Sequence, residues 1–283
     1  MNRDFDRPDV PERPNAERTP DLATVEITRI EKELSPVSDA PRSVYELRDR
    51  KYQLNSNEGR MLMEIGRFRS IEKKALLIHI YGGNKELFER DLTHLHRNNL
   101  VRIVGPKHSL NKYVVLTKPA KELAQNHFRD NPKQELYAEA VKPREIKHDG
   151  ALFRLYEKAA EQIRERGGKP TRVILDFEFK RRINRDIAKA RLLPKNEYAR
   201  HLQATAQREN LKVVRGKIPL PDVRIEYETS EGTLSVCDLE LINENYRAPF
   251  IAEKRAAGFH LYSINRKGRA AIGPDLMGEI LSL

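Results

Sequence analysis

A single cysteine, Cys237, is present in the chain. No disulfide can form within it, no Cys-rich zinc module can be built, and the lone thiol fits a reducing cytoplasm. Long apolar runs are also missing. No stretch approaches the roughly 18–20 apolar residues of a membrane span, and the mean hydropathy is −0.71, so no membrane contact is expected. The opening residues, MNRDFDRPDVPERP, lack the apolar core of a signal peptide, so export is not expected and the cytoplasm is the expected compartment. Apolar residues are nevertheless 39% of the chain, enough to bury ordinary cores. At ~100–200 residues per domain, the 283 residues suggest about two domains.

Cations outnumber anions. The formal net charge is +11, which favours polyanionic partners, most simply nucleic acid. Residues 60–145 hold 17 Lys/Arg against 10 Asp/Glu, so much of the excess lies in one segment.

Residues 1–44 are rich in Pro and charge and are expected to form a disordered arm. From there the pattern changes. NEGRMLMEIGRF places Met61, Leu62, Ile65 and Phe68 at helical spacing. Ser70 is a candidate N-cap for a second helix, IEKKALLIHIY. Asn84 can cap a third, KELFERDLTHLHRNN, with Phe88, Leu92 and Leu95 on its inner face. LVRIVG and YVVLT read as two strands around a basic loop, and KPAKELAQNHF closes the segment as a helix with Pro119 in its first turn.

Three helices followed by a strand pair resemble a winged helix-turn-helix over residues 45–130. The resemblance implies that the third helix reads double-stranded DNA, with Lys85, Glu86, Glu89, Arg90, Thr93 and Arg97 outward and the wing at Lys107 to Lys112. A module used only for protein contact or homodimerisation is the alternative, and Glu86 and Glu89 on the reading face favour it. Residues 131–147, interrupted by Pro132 and Pro143, read as a linker.

The remainder, 148–283, reads as an amphipathic helix from His148, a strand TRVILDFEF, and charged helices broken at Pro194. Two strands follow, LPDVRIEYE and TLSVCDLELI, then a helix APFIAEKRAAG, a strand FHLYSI and a C-terminal helix PDLMGEILSL. Asp238 and Glu240, spaced i and i+2, project from one face of a strand. Carboxylates in such apolar strands are costly unless paired or bound to a cation.

With the charged helices treated as an insertion, the order helix, three strands, helix, strand resembles the PD-(D/E)xK nuclease superfamily, and the fold class expected is α/β, a multidomain α+β chain with a restriction-endonuclease-like second part. Pro221-Asp222 and Asp238-Leu239-Glu240 carry the resemblance. It implies that Asp222, Asp238 and Glu240 hold Mg²⁺ or Mn²⁺ for phosphodiester cleavage. The lysine expected in acid-x-Lys is Glu240 here, and Lys254 on the following helix takes its place. DFEFK, Asp176 to Lys180, is a second acid–lysine candidate. The alternative for each residue is plain: Asp222 begins a strand after a Pro turn, Asp238 and Glu240 face solvent, and Lys254 is one cation on an exposed helix.

A winged helix followed by Pro221-Asp222, Asp238-Leu239-Glu240, Lys254 and Tyr262 also resembles the bacterial replication-relaxation family. That resemblance implies DNA-associated work in plasmid or mobile-element replication or mobilisation. The competing expectation is a non-enzymatic transcription regulator whose C-terminal part dimerises or binds a partner.

Overall fold

The computed structural model describes residues 40–105, 111–139, 145–242, 246–263 and the main chain of 280–282. The described residues form a mixed α+β arrangement of eight helices and three sheets.

Order begins earlier than the sequence suggested. β1 (Ser43–Leu47) and β2 (Arg50–Leu54) form an antiparallel hairpin, so the boundary expected at residue 44 falls inside a strand. α1 (Ser56–Phe68) follows, and Met61, Leu62, Ile65 and Phe68 are all fully buried, as their spacing requires. Asn55 caps it through a capping box with Glu58. Ser70 does not cap the next helix. A two-residue strand, β3 (Ile71–Glu72), intervenes, pairing Ile71 with Val114, and α2 (Lys73–His79) starts after it without a side-chain cap. α3 (Lys85–Arg97) is capped by Asn84, whose side chain accepts from the Leu87 amide, and it buries Phe88, Leu92 and Leu95. β4 (Val101–Val104) and β5 (Tyr113–Leu116) pair antiparallel, giving the sheet order β3-β5-β4. Residues 106–110, which include the wing residue Lys107, lie outside the described residues. α4 (Lys118–His127) is capped by Thr117 and carries Pro119 in its first turn.

The segment expected to link the two parts is packed over residues 131–139. The Gln134 side chain pairs with both main-chain groups of Val173, and the Tyr137 amide donates to Gly66. α5 (Ile146–Glu165) then runs against the three-stranded sheet and the larger one. Phe153 meets Phe68 edge-on and Tyr156 lies tilted against it, with ring centroids 5.4 and 5.2 Å apart.

The larger sheet holds β6 (Lys169–Leu175), β7 (Val223–Glu228), β8 (Leu234–Ile242), β9 (His260–Ser263) and β10 (Ile280–Ser282), in the order β10-β9-β8-β7-β6. β6, β7 and β8 are antiparallel neighbours, whereas β9 runs parallel to β8 and β10 parallel to β9. Between β6 and β7 the chain makes two helices, α6 (Asp176–Ala190) and α7 (Lys195–Arg208), broken at Pro194. α8 (Ala248–Ala257) crosses from β8 to β9, carries Pro249 in its first turn and ends on Gly258 in a left-handed conformation. α6 and α8 share a core on one face of the sheet, with Phe179, Ile183, Ile242, Ile251 and Leu261. α5 covers the other face, where the Tyr262 hydroxyl meets Gln162.

Two expectations are corrected. The strand TRVILDFEF ends at Leu175, and Asp176 to Lys180 form the first turn of α6, where Asp176 and Glu178 suit a helix N-terminus and Lys180 pairs with Asp176 one turn on. Ile280–Ser282 is a strand, although a helix was expected over 274–283, whose other residues lie outside the described residues. No helix among the described residues is long and apolar enough to cross a membrane.

Candidate active site

The register of β7 against β8 sets the site. Val223 lies opposite Leu239 and Arg224 opposite Asp238, so one residue further along Asp222 stands level with Glu240. Alternation puts Val223 and Leu239 on the α5 face and leaves Asp222, Arg224, Asp238 and Glu240 on the face of α6 and α8. The acid-x-acid spacing thus delivers its two carboxylates to one side, as expected.

Their surroundings then divide them. Glu240 is fully buried. Its Oε1 accepts from the Lys254 ammonium and from the Tyr246 hydroxyl, both at 2.8 Å, while Oε2 has no hydrogen-bond partner among the described residues. Lys254 also donates to the Leu220 carbonyl at 2.7 Å, which fixes the ammonium beside the segment that leads through Asp222 into β7. Asp222 Oδ2 accepts from the Leu241 amide at 2.8 Å. Burial, and then the nearby Asp222 charge, push the Glu240 carboxyl up to about 7. Burial and the Glu240 charge push the Tyr246 phenol above its ordinary range.

Asp238 does not join this group. Arg224 takes both of its oxygens, Nε at 2.6 Å and Nη2 at 2.7 Å, and also donates to the carbonyls of Glu209 and Asn210. Asp238 therefore anchors the end of α7 through Arg224, which is itself buried and lies 4.9 Å over the Phe179 ring.

Two neighbours were missed by sequence reasoning. His148, at the start of α5, has Nε2 3.6 Å from Asp222 and Nδ1 3.7 Å from Asp149, and these two carboxylates raise the imidazole to about 10. Tyr246 replaces Tyr262 as the tyrosine at the acids. Tyr262 is paired with Leu241 in the parallel register, so it lies on the opposite face of the sheet from Glu240. The only sequence signal for Tyr246 was its place just before the α8 helix. Asp176 of the second acid–lysine candidate is adjacent: its amide donates to the Asp222 carbonyl at 3.2 Å, while its carboxylate is held by Lys180.

Whether this donor set suits a metal follows from its composition. Among the described residues no three His, Cys, Asp or Glu side chains are grouped to hold a metal ion. Asp222 and Glu240 offer two carboxylates, one with an unpartnered buried oxygen. That matches the habit of Mg²⁺, which binds through one or two carboxylates and keeps waters or substrate phosphates for its other positions. A cavity of about 520 Å³, lined among others by Arg67, Tyr156, Asn131 and Lys169, contains none of these residues.

On α3, Lys85, Thr93 and Arg97 are exposed and Lys112 is half-buried at the start of β5. Arg90 differs: its Nε and Nη2 are 3.1 and 3.0 Å from Asp91 Oδ1. Asp91 is buried and also accepts from Tyr81 and Asn55, so Arg90 is drawn into the network that holds α3 against α1. Glu89 is paired with Lys73 at 3.1 Å, which removes one of the two anions from the expected reading face.

No protein-family model, no curated protein and no solved structure matches the chain.

Proposed function

We propose that the chain acts on double-stranded DNA, with residues 45–130 as a winged helix and 148–283 as a PD-(D/E)xK-like nuclease domain, in the manner of the replication-relaxation proteins of plasmids and mobile elements. The observation that carries the reading is the meeting of Asp222, Glu240 and Lys254. They come from the start of β7, from β8 and from the following helix, around a buried carboxylate oxygen that has no hydrogen-bond partner among the described residues. A buried polar atom without a partner costs on the order of 1–3 kcal/mol, and a ligand that meets it explains its retention. The strand order β6, β7, β8, with β9 parallel to β8, supports the same reading.

Asp222 and Glu240 would hold Mg²⁺ or Mn²⁺; Asp238 is left out of the set. The bound cation would lower the pKa of a water and polarise a phosphate oxygen. Lys254 offsets charge that develops on the scissile phosphate. Tyr246 fixes the Glu240 carboxylate through Oε1, which leaves Oε2 for the ligand. Lys85, Thr93, Arg97, Lys107 and Lys112 contact the duplex.

Incubation of supercoiled plasmid with the full chain tests this. Nicking that needs Mg²⁺ or Mn²⁺ and is lost in Lys254→Ala is the expected result. Intact plasmid under both cations, with DNA binding retained, would move the chain to the non-enzymatic regulators.

A further inference from the structure

The α6–α7 hairpin inserted between β6 and β7 is unevenly charged along its length. Near its root every cation is engaged: Lys180 with Asp176, Arg181 with Glu135, Arg182 with Glu209 and Arg208 with Asp186. From mid-stalk to tip Arg185, Lys189, Arg191, Lys195 and Arg200 are exposed, and among the described residues none of them has an ion pair. Glu197 is the one acid between residues 187 and 204. At the apex sit Leu192 and Leu193, 96% and 40% exposed, so that Leu192 is left almost wholly uncovered. The helices themselves are firmly seated, with Phe179 and Ile183 in the sheet core and Leu202 and Ala206 buried. An exposed leucine among cations without ion pairs, at the end of a seated hairpin, adds no packing to the fold.

Both ends of the stalk are tied to β7 and the residue before it, one of them at Asp222 itself. The Asp176 amide donates to the Asp222 carbonyl, and Arg224 holds the carbonyls of Glu209 and Asn210. With 15 residues in α6 and a rise of 1.5 Å each, the tip stands about 22 Å from that root. At 3.4 Å per base pair along one strand this is roughly six base pairs.

We propose that the hairpin tip is a second contact for duplex DNA, in which the five cations lie along phosphates and Leu192 seats against a base step. The inference rests on the reading that the chain acts on DNA, and adds to it a contact separate from α3. Charge complementarity selects the partner: a duplex presents one negative charge per ~1.7 Å of axis, and proteins that grip DNA in this way often set an apolar side chain at a base step. An anionic membrane suits the same cations less well, because two leucines offer little apolar area and even a whole myristoyl chain binds bilayers only marginally.

The test is the salt dependence of affinity, read by fluorescence anisotropy with the full-length chain and a random-sequence duplex long enough to span both contacts. Arg191→Gln/Lys195→Gln/Arg200→Gln should reduce the slope of log affinity against log salt by about 2.7, at about 0.9 per phosphate contact. Leu192→Asn/Leu193→Asn should weaken binding at every salt concentration with the slope unchanged. Both variants alter exposed residues, so their melting temperatures should equal that of the wild type. If the wild type binds no duplex even at low salt, the proposed function and the hairpin contact fail together. If it binds and the triple variant keeps the full slope, the hairpin contact alone fails. Loss of binding to phosphatidylserine vesicles with the duplex slope unchanged would assign the tip to a membrane and overturn the inference.

Discussion

Asp238 gives both carboxylate oxygens to Arg224, at 2.6 and 2.7 Å, although the acid-x-acid spacing makes it a natural partner for Glu240 in a metal site. Arg224 is 3% exposed, so removing its anion leaves a buried charge uncompensated. Asp238→Asn should therefore destabilise the fold by about 3–5 kcal/mol. Any rise in melting temperature on adding Mn²⁺ should survive that substitution and be lost in Asp222→Asn. Denaturant unfolding with and without Mn²⁺ checks both. A stable Asp238→Asn variant that no longer responds to the cation would restore Asp238 to the ligand set.

The Glu240 carboxyl, raised from 4.5 to about 7, makes the cation-free fold sensitive to pH. A folded-state pKa above the unfolded one means that the folded state holds a proton the unfolded chain has lost. That contribution is complete below about pH 4.5 and disappears as pH rises through about 7. His148, raised to about 10, acts in the same direction at higher pH. In chelator, Glu240→Gln should gain on the wild type between about pH 5 and pH 8, by on the order of 2–3 kcal/mol. A difference between the two that stays flat with pH would contradict the raised carboxyl.

On α3 the exposed and the engaged cations should behave differently. Arg97→Ala or Thr93→Ala should relax sequence preference, at about 1–3 kcal/mol for a direct base contact. Arg90→Ala should cost stability of about 1 kcal/mol or less, since its guanidinium is partly exposed against Asp91, and leave preference unchanged. Lys107→Glu/Lys112→Glu should weaken binding to all sequences alike, because phosphate contacts carry no sequence information. Binding-site selection with each variant separates the three outcomes.

Gly150 lets α5 lie against the three-stranded sheet. A Cβ there would run into Cε1 of Tyr113, a buried ring. Gly150→Ala should destabilise by about 1–3 kcal/mol through overpacking, and Tyr113→Leu in the same chain should recover part of it. Equal unfolding midpoints for the wild type and Gly150→Ala would show that the ring moves aside freely.

Much of the local structure was legible because local rules decide it. Asn84 and Thr117 cap helices, Met61 to Phe68 turn inward at helical spacing, and Pro194 separates two helices. Asp176 to Lys180 misled because alternating Phe and charge reads as a strand, yet acids at a helix start and an i, i+4 pair favour the helix. The placement of Lys254 against Glu240 could be anticipated from the resemblance in element order, which puts a cation on the helix after the acids. The capture of Asp238 by Arg224 could not, since it depends on cross-strand register, and neither could the exchange of Tyr262 for Tyr246, which depends on the face each residue takes. Register and facing are tertiary properties, fixed by what packs on each side of the sheet.

Cation binding needs no DNA and so reads the site itself. Calorimetric titration of the full-length chain with Mn²⁺ should show a saturable site in the wild type and in Asp238→Asn, and none in Asp222→Asn or Glu240→Gln. A wild type that takes up no Mn²⁺, or a Glu240→Gln variant that binds it as tightly as the wild type, would contradict the assignment of Asp222 and Glu240 as a joint cation site.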